Sequence, residues 1–190
     1  MSGPNTPSAA HFFGYGSLVN RATHSYPQAH PAHLKGWRRV WVHTAARPVA
    51  YLSVMRDENC TIAGLAAHVP GGDWAALDER EAAYARHPAQ ALPIGRAPLD
   101  VQVYAVPQAA AALPQTAHPI LLSYLDAVVQ GFLREFGEEG VIGFFDTTAG
   151  WDAPIRNDRA APLYPRAQRL NAFEIACVDA ALARCGATLI

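Results

Sequence analysis

The alternation of hydrophobic and polar positions predicts that the first half of the chain is rich in strands. The aromatic run at residues 11–15, closed by Gly16, is typical of a buried strand that ends in a tight turn. Residues 34–44 alternate between apolar and polar side chains and predict a second strand, with Gly36 as a candidate bulge. Residues 99–106 alternate in the same way and predict a later strand.

Two further runs, at residues 51–56 and 61–69, have the composition of strands. The polar residues Asp57, Glu58 and Asn59 lie between them. A short polar turn between two such runs is typical of a β-hairpin, so a hairpin is expected here.

Three segments have helical spacing and suitable ends. A helix is expected over residues 73–86, because its first residue is a good N-cap and Pro88 follows its end. A long helix is expected over residues 119–137, from a proline to a glycine, and a last helix over residues 171–185. The apolar face predicted for the long helix carries Ile120, Leu121, Tyr124, Val128, Phe132 and Phe136.

The order of these elements favours an α+β fold. Several strands precede the first helix, which differs from the regular alternation of a doubly wound sheet. A mixed or antiparallel sheet with helices packed around it is therefore expected. The prediction is one domain over residues 11–190 after a flexible leader at residues 1–10, with an irregular segment at residues 150–169 that contains three prolines.

The composition of the 190 residues excludes several classes of protein. With 51% hydrophobic and 16% charged residues, against a usual charged share of about 25%, the chain is expected to fold. A net charge of -1 provides no broad basic surface for nucleic acid. Residues 101–125 carry no charged side chain, but three prolines interrupt them, so no membrane span is expected.

Cysteine and histidine spacing indicates no metal site. Cys60, Cys177 and Cys185 are odd in number and form no CxxC pair, which favours a reducing cytoplasm over a disulfide framework or a thiolate zinc site. His30 and His33 form an HxxH spacing in an expected loop, without the Glu of an HExxH helix. We therefore predict neither a metal nor a cofactor.

The turn at residues 14–18 is the first candidate for chemistry. Glycines on both sides of Tyr15 let the backbone approach a ligand, and successive N–H groups in such a turn can bind an anion. A plain tight turn with a packed tyrosine would carry the same residues. Ser17 lacks the GxSxG setting of an activated nucleophile, so attack on a substrate is not expected from it.

Glu81 is the second candidate. At about 100° per residue, the predicted helix places Trp74, Leu77 and Tyr84 on one face with Glu81 between them, and it turns Arg80 toward solvent. A carboxyl group in an apolar stripe is expected to have a raised pKa, which suits it for proton transfer. A carboxylate satisfied by a backbone N–H or by an arginine is the structural alternative.

The proline-containing loop at residues 157–166 is a weaker candidate. It carries Tyr164 and Arg166 as candidate cleft residues, because an arginine can bind a substrate carboxylate with two hydrogen bonds. A salt-bridged surface loop is the alternative for the same residues.

The sequence FGYGSL at residues 13–18, followed about sixty residues later by LDEREAAY at residues 77–84, resembles the γ-glutamylcyclotransferase-like family. That family includes γ-glutamylcyclotransferases, γ-glutamylamine cyclotransferases and ChaC-type enzymes that degrade glutathione. The likeness extends over about residues 11–84, with a second region at residues 123–132. It implies a small mixed β-barrel surrounded by helices.

The resemblance implies a lyase that acts on a small γ-glutamyl substrate without a cofactor. Tyr15, Gly16, Ser17 and Leu18 would bind the γ-glutamyl group, and Glu81 would be the general acid and base. The α-amine of the substrate would attack its own γ-carbonyl, form the lactam 5-oxoproline and expel an amine, amino acid or peptide.

Two other functions stay open at this point. A non-catalytic binding module of the same fold would recognise a γ-glutamyl-like metabolite or a protein partner, and a hydrolase would use water and release glutamate. The leaving group also stays open between glutathione, a γ-glutamyl amino acid, a γ-glutamylamine and a biosynthetic intermediate. The sequence predicts no oligomeric state.

Overall fold

A computed structural model describes residues 10–45, 47–112 and 118–190. Within these residues, five strands form a barrel: β1 (His11–Gly14), β2 (His30–His43), β3 (Ala50–His68), β4 (Ala85–Pro93) and β5 (Leu99–Ala105). The strands pair in the order β3-β1-β5-β4-β2, and β2 also pairs with β3, which closes the sheet. β1 and β5 are parallel, whereas the other barrel pairs are antiparallel.

Helices pack around this barrel. The described residues contain the helices α1 (Ala75–Arg80), α2 (Leu122–Asp146) and α3 (Ala172–Arg184), and the short strands β6 (Ile120–Leu121), β7 (Thr148–Ala149) and β8 (Ile155–Arg156). β7 extends the barrel sheet next to β2, and β6 pairs with β8. The predicted mixed β-barrel surrounded by helices is confirmed.

The hairpin expected around Asp57 is wrong, because β3 is one continuous strand. Its partner is β2, and the register of this pair shifts at Gly36, which has a φ of 81°. Residues 57–60 face that position as a bulge. Asp57 accepts a hydrogen bond from the Asn59 N–H at 3.0 Å and pairs with Arg38 at 2.7 Å. The polar residues typical of a turn are thus accommodated within a long strand pair.

Helix α1 is shorter than the predicted helix over residues 73–86. Asp73 does accept a hydrogen bond from the Ala75 N–H, at 3.1 Å, but the helix ends at Arg80. The chain then turns into β4, so Pro88 lies inside a strand. Strand β4 pairs with both β5 and β2, and this pairing outweighs the helix propensity of an alanine-rich segment.

The two later helices follow the sequence pattern more closely. The long helix begins after β6 rather than at Pro119, and Gly137, with a φ of 67°, breaks it before a second segment continues to Asp146. Helix α3 has the predicted ends. Its N-terminus is a capping box, in which Asn171 and Glu174 each accept the other's backbone N–H at 2.9 Å.

The chain ahead of β1 is described from Ala10 onward. The carbonyl of Ala10 accepts a hydrogen bond from the Val69 N–H at 2.7 Å, and residues 1–9 of the expected leader lie outside the described residues. Among the described helices, none has both the length and the apolar character needed to cross a membrane.

Helix α2 lies tightly against the segment that follows the β1 turn. A Cβ atom at Gly131 would lie only 2.6 Å from the backbone nitrogen of Asn20. Asn20 also donates hydrogen bonds through Nδ2 to the Ala127 carbonyl at 2.8 Å and to Gln130 Oε1 at 2.9 Å. These contacts hold the segment after the turn against the helix.

Replacing Gly131 by Ala is expected to destabilise the protein by about 1–3 kcal/mol, because the new methyl group overlaps a fixed backbone. Gly143 lies in the same helix with open space at its Cβ position, so Gly143→Ala is expected to be neutral or to stabilise by up to about 1 kcal/mol. Urea denaturation of both variants measures the difference, and equal stabilities would contradict the close approach.

Candidate active site

A cavity of about 320 Å³ opens beside the turn that follows β1. Five segments form its wall: that turn, the start of β3 with the loop before it, the end of α1, the start of α2 and the loop after β8. The lining comprises Ser17, residues 47–52, Arg80, Glu81, Tyr84, Leu121, Tyr124 and residues 163–166. The cavity thus brings Glu81 together with parts of the turn at residues 14–18 and of the loop at residues 157–166.

A recess of about 30 Å³ adjoins this cavity and is lined by residues 13–18, Leu52, Glu81, Tyr84, Tyr104 and Tyr124. The cavity and the recess share several lining residues, including Ser17 and Glu81. Glu81 therefore lies where the two meet, next to the turn.

The glycines of the turn are required by close packing. A Cβ atom at Gly14 would lie 2.5 Å from Leu18 Cβ, and one at Gly16 would lie 2.6 Å from the Tyr124 hydroxyl oxygen. The turn therefore brings its backbone directly against the start of α2, where Tyr124 lies.

The residues of the turn differ in what they contact. The Tyr15 side chain is buried, and its hydroxyl donates a hydrogen bond to the Tyr104 carbonyl at 2.6 Å. Burial, followed by the charge of Glu81, raises the pKa of the Tyr15 hydroxyl well above its usual value. Tyr15, Gly16 and Leu18 line the recess, whereas Ser17 lines both the recess and the cavity.

A buried arginine that the sequence analysis missed holds the turn in place. Arg39 in β2 is fully buried, and its guanidinium donates through Nε to the Tyr15 carbonyl at 2.8 Å, through Nη1 to Thr147 Oγ1 at 2.8 Å and through Nη2 to the Ala63 carbonyl. The guanidinium also lies 4.9 Å from the centre of the Phe132 ring. Burial lowers the pKa of Arg39 to about 9, so it stays charged at neutral pH.

Glu81 follows α1 directly, and its N–H donates to the Leu77 carbonyl at 2.9 Å. Its side chain is 16% exposed, and Oε1 lies 3.2 Å from Nε of Arg80. Burial raises the pKa of the Glu81 carboxyl, and the opposing charges of Arg80 and Arg166 do not cancel this effect. A largely buried carboxyl group with a raised pKa is suited to exchange protons near neutral pH.

The position of Arg80 corrects the expectation that it faces solvent. Its side chain is only 9% exposed and donates to the Thr23 carbonyl at 2.9 Å and to Ser17 Oγ at 3.2 Å. Because α1 ends at Arg80, the helical spacing stops there, and both Arg80 and Glu81 face the cavity. Arg80 therefore connects Glu81 to the turn.

Two tyrosines that were not candidate site residues complete the wall around Glu81. The Tyr84 hydroxyl donates to the Leu52 carbonyl at 3.0 Å, and burial raises its pKa well above the usual value. The apolar face predicted from the sequence puts Tyr84 next to Glu81, so the sequence does indicate that Tyr84 lies near the site. Tyr124 packs edge to face against Tyr164, with ring centres 5.0 Å apart. In the sequence, Tyr124 is one of the residues on the predicted apolar face of the long helix, and this pattern does not indicate a role at the site.

The loop that carries Tyr164 and Arg166 is tied to the start of α2. Asp158 is buried and accepts hydrogen bonds from the Ser123 N–H at 2.8 Å, the Ser123 hydroxyl at 2.6 Å and the Leu163 N–H at 2.9 Å. The Tyr164 N–H donates to Ser123 Oγ at 3.2 Å. Tyr164 and Arg166 both line the cavity, so the structure brings these candidates together with Glu81 and the turn.

His30 and His33 lie in β2 rather than in the expected loop. In the part of the chain that the structure describes, no group of three or more His, Cys, Asp or Glu side chains is arranged to hold a metal ion.

Comparison with known proteins identifies the family. The family model described as γ-glutamyl cyclotransferase, AIG2-like, matches residues 12–124, a stretch that includes the turn, Glu81 and Tyr124. Comparison with curated proteins gives no match.

Solved structures share the fold. A γ-glutamyl cyclotransferase matches with a TM-score of 0.58 and 12% identity, over 91% of this chain and 99% of that one. Uncharacterized protein loc79017 from Homo sapiens matches with a TM-score of 0.59 and 12% identity, over 90% and 99%. YkqA from Bacillus subtilis matches with a TM-score of 0.58 and 20% identity over 72% of this chain, which spans about half of YkqA (53%). Because the family model covers more than half of its residues, the chain belongs to the AIG2-like γ-glutamyl cyclotransferase family.

Proposed function

We propose that the chain is a γ-glutamyl cyclotransferase-type lyase that converts a γ-glutamyl compound to 5-oxoproline and releases an amine, amino acid or peptide. The strongest support is the position of Glu81, a carboxyl group of raised pKa at the junction of the cavity and the turn. The family of the chain supports the same class of reaction.

The proposed reaction uses the substrate's own nucleophile. The α-ammonium group gives a proton to Glu81, and the free amine then attacks the γ-carbonyl carbon to form a tetrahedral intermediate. The bond from this carbon to the leaving nitrogen breaks while Glu81 returns the proton to that nitrogen. The ring nitrogen then gives its second proton to the Glu81 carboxylate, which passes it to the released amine, so the products are the neutral lactam and an ammonium group. One carboxyl group thus makes all of these proton transfers, and ring closure within one molecule gains from the orientation that the cavity imposes. Atoms balance without a metal or a cofactor.

The turn has the binding role in this proposal. Ser17 is the residue of the turn that also lines the cavity, and backbone N–H groups of the turn would stabilise the negative charge that develops on the carbonyl oxygen. Tyr15, Gly16 and Leu18 would shape the recess for the γ-glutamyl group. Arg166, beside Tyr164, would attract a substrate carboxylate.

We also propose that the reaction takes place in the cytoplasm. Cys60, Cys177 and Cys185 are all free thiols, which is the usual state in a reducing compartment.

Product analysis tests the proposed function. The protein is incubated with glutathione, γ-glutamyl-alanine and γ-glutamyl-methylamide, and the products are identified by mass spectrometry. At least one compound is expected to give 5-oxoproline together with its free amine. Release of glutamate instead would identify a hydrolase, and thermal stabilisation by a compound without any product would identify a binding module. Either result would overturn the proposal.

As the pH is lowered, the activity is expected to fall at a higher pH than it would if the base were an exposed glutamate. Glu81 must be ionised to accept the proton, and burial raises its pKa above the ordinary value of 4.5. kcat/KM should therefore decline by about tenfold per pH unit below that raised pKa. A pH profile measures this limb, and a midpoint at 4.5 or lower would be inconsistent with the buried carboxyl as the base.

A further inference from the structure

Three arginines line the cavity, but only one of them has a carboxylate partner among the described residues. Arg80 lies 3.2 Å from Glu81, whereas Arg47 and Arg166 form no ion pair with a described Asp or Glu. The sequence has no Asp or Glu at positions 1–9, 46 or 113–117. The cavity therefore presents two arginines that have no ion-pair partner in the described part of the chain.

These two arginines come from different loops. Arg166 follows β8 and is near enough to Glu81 to oppose the rise in the pKa of its carboxyl. Arg47 lies between β2 and β3 and is not among the charges that shift the pKa of Glu81. Neither arginine lines the recess at the turn. The charge of Arg166 thus acts on the carboxyl group at the proposed reacting centre, whereas Arg47 lies on a different segment of the cavity wall.

The charges of possible substrates differ in a way that matches this arrangement. A γ-glutamyl amino acid carries two carboxylates, one on the glutamyl α-carbon and one on the leaving group, whereas a simple γ-glutamylamine carries only the first. The glutamyl α-carboxylate shares its carbon with the attacking amine, so it must lie near Glu81, within reach of Arg166. A carboxylate on the leaving group lies farther from the amine, where Arg47 is the remaining unpaired cation.

We infer that Arg47 is a specificity-determining residue that binds a carboxylate of the leaving group, so that γ-glutamyl amino acids are preferred to γ-glutamylamines. The inference rests on the proposed function, because it assumes that the γ-glutamyl amine lies at Glu81. A guanidinium group binds a carboxylate with charge-assisted hydrogen bonds and gains much less from a neutral amide. Arg47 is exposed, so the preference weakens as salt screens its charge.

The test compares γ-glutamyl-alanine with γ-glutamyl-alaninamide, which differ only in the carboxylate of the leaving group. Binding is measured by calorimetry on the Glu81→Gln protein, so that both ligands stay intact. The acid is expected to bind about tenfold more tightly than the amide. Adding Arg47→Met should make the Kd values of the two ligands similar, whereas adding Arg166→Met should raise both Kd values by a similar factor.

Arg169→Met is the matched control, because Arg169 is exposed in the same loop as Arg166 and does not line the cavity. This change should leave the preference for the acid intact. Equal Kd values for the two ligands, a preference that survives Arg47→Met, or binding of neither ligand would each overturn the inference.

A parallel assay of 5-oxoproline with the unsubstituted protein separates this inference from the proposed function. If neither compound gives the lactam but the acid still binds more tightly through Arg47, the reaction is wrong and the carboxylate site stands. If both compounds give the lactam at equal rates and bind equally, the reaction stands and the role of Arg47 is wrong.

Discussion

Replacing Glu81 by Gln is expected to lower kcat for 5-oxoproline release at least about 100-fold, because positioned acid and base groups contribute at least that factor. Glutamine keeps the size of the side chain and its hydrogen bonding to Arg80 but cannot take up or return a proton. Glu79 is the matched control: it lies two residues earlier on α1 and is exposed, so Glu79→Gln should retain full activity.

The loss of activity is expected without a loss of folding. Since burial raises the pKa of Glu81, the folded state favours the neutral carboxyl, and the ionised form costs stability at pH 7. A neutral glutamine avoids that cost, so Glu81→Gln should unfold at the same temperature as the parent or at a higher one. Any increase in the unfolding temperature of Glu81→Gln over the parent should become smaller as the pH falls through the raised pKa of Glu81, because the parent carboxyl then becomes neutral as well. Full turnover by a folded Glu81→Gln protein would exclude Glu81 as the acid and base.

Replacing Arg39 by Met is expected to lower the free energy of unfolding by roughly 3 kcal/mol or more. The buried carbonyl of Tyr15, the partly buried carbonyl of Ala63 and the partly buried hydroxyl of Thr147 would lose their donor, and an unsatisfied buried group costs about 1–3 kcal/mol. For a chain of this size, such a loss lowers the Tm by about 6–12 °C. Because Arg39 fixes the Tyr15 carbonyl, activity should fall as well.

The neighbouring residue provides the control for this prediction. Arg38 pairs with Asp57 at 2.7 Å, but the two side chains are 35% and 26% exposed. Arg38→Met should therefore cost no more than about 1 kcal/mol. Thermal and urea denaturation of the two variants give the comparison, and similar stabilities for both would show that Arg39 does not hold the turn.

The main features of the site are visible in the sequence because they depend on local chemistry. Glycines beside Tyr15 indicate a backbone that packs closely, and a glutamate amid apolar residues indicates a buried carboxyl. The sequence also contains an indication that Arg39 is buried. Arg39 lies between Trp37 and Trp41 at the two-residue spacing of a strand face, and all three side chains are buried on one side of β2. The bulge at Gly36 obscures that alternation in the sequence.

Features set by distant strand pairing are not visible in the same way. The end of α1 at Arg80 depends on the pairing of β4 with β5 and β2, so the helical spacing used for Arg80 and Glu81 does not extend past that point. The continuity of β3 through Asp57 depends on β2 in the same manner. The helical projection gave Arg80 the wrong orientation, although it identified Glu81 as a buried candidate.

Isotope labelling tests the proposed ring closure most directly. The protein is incubated with γ-glutamyl-alanine in water enriched in oxygen-18, and a sample without protein serves as the control. The masses of the products are then measured by mass spectrometry. Intramolecular attack by the α-amine predicts unlabelled 5-oxoproline in an amount equal to the released alanine. Glutamate that carries one oxygen-18 atom would show attack by water at the γ-carbonyl and would contradict a cyclotransferase reaction at Glu81.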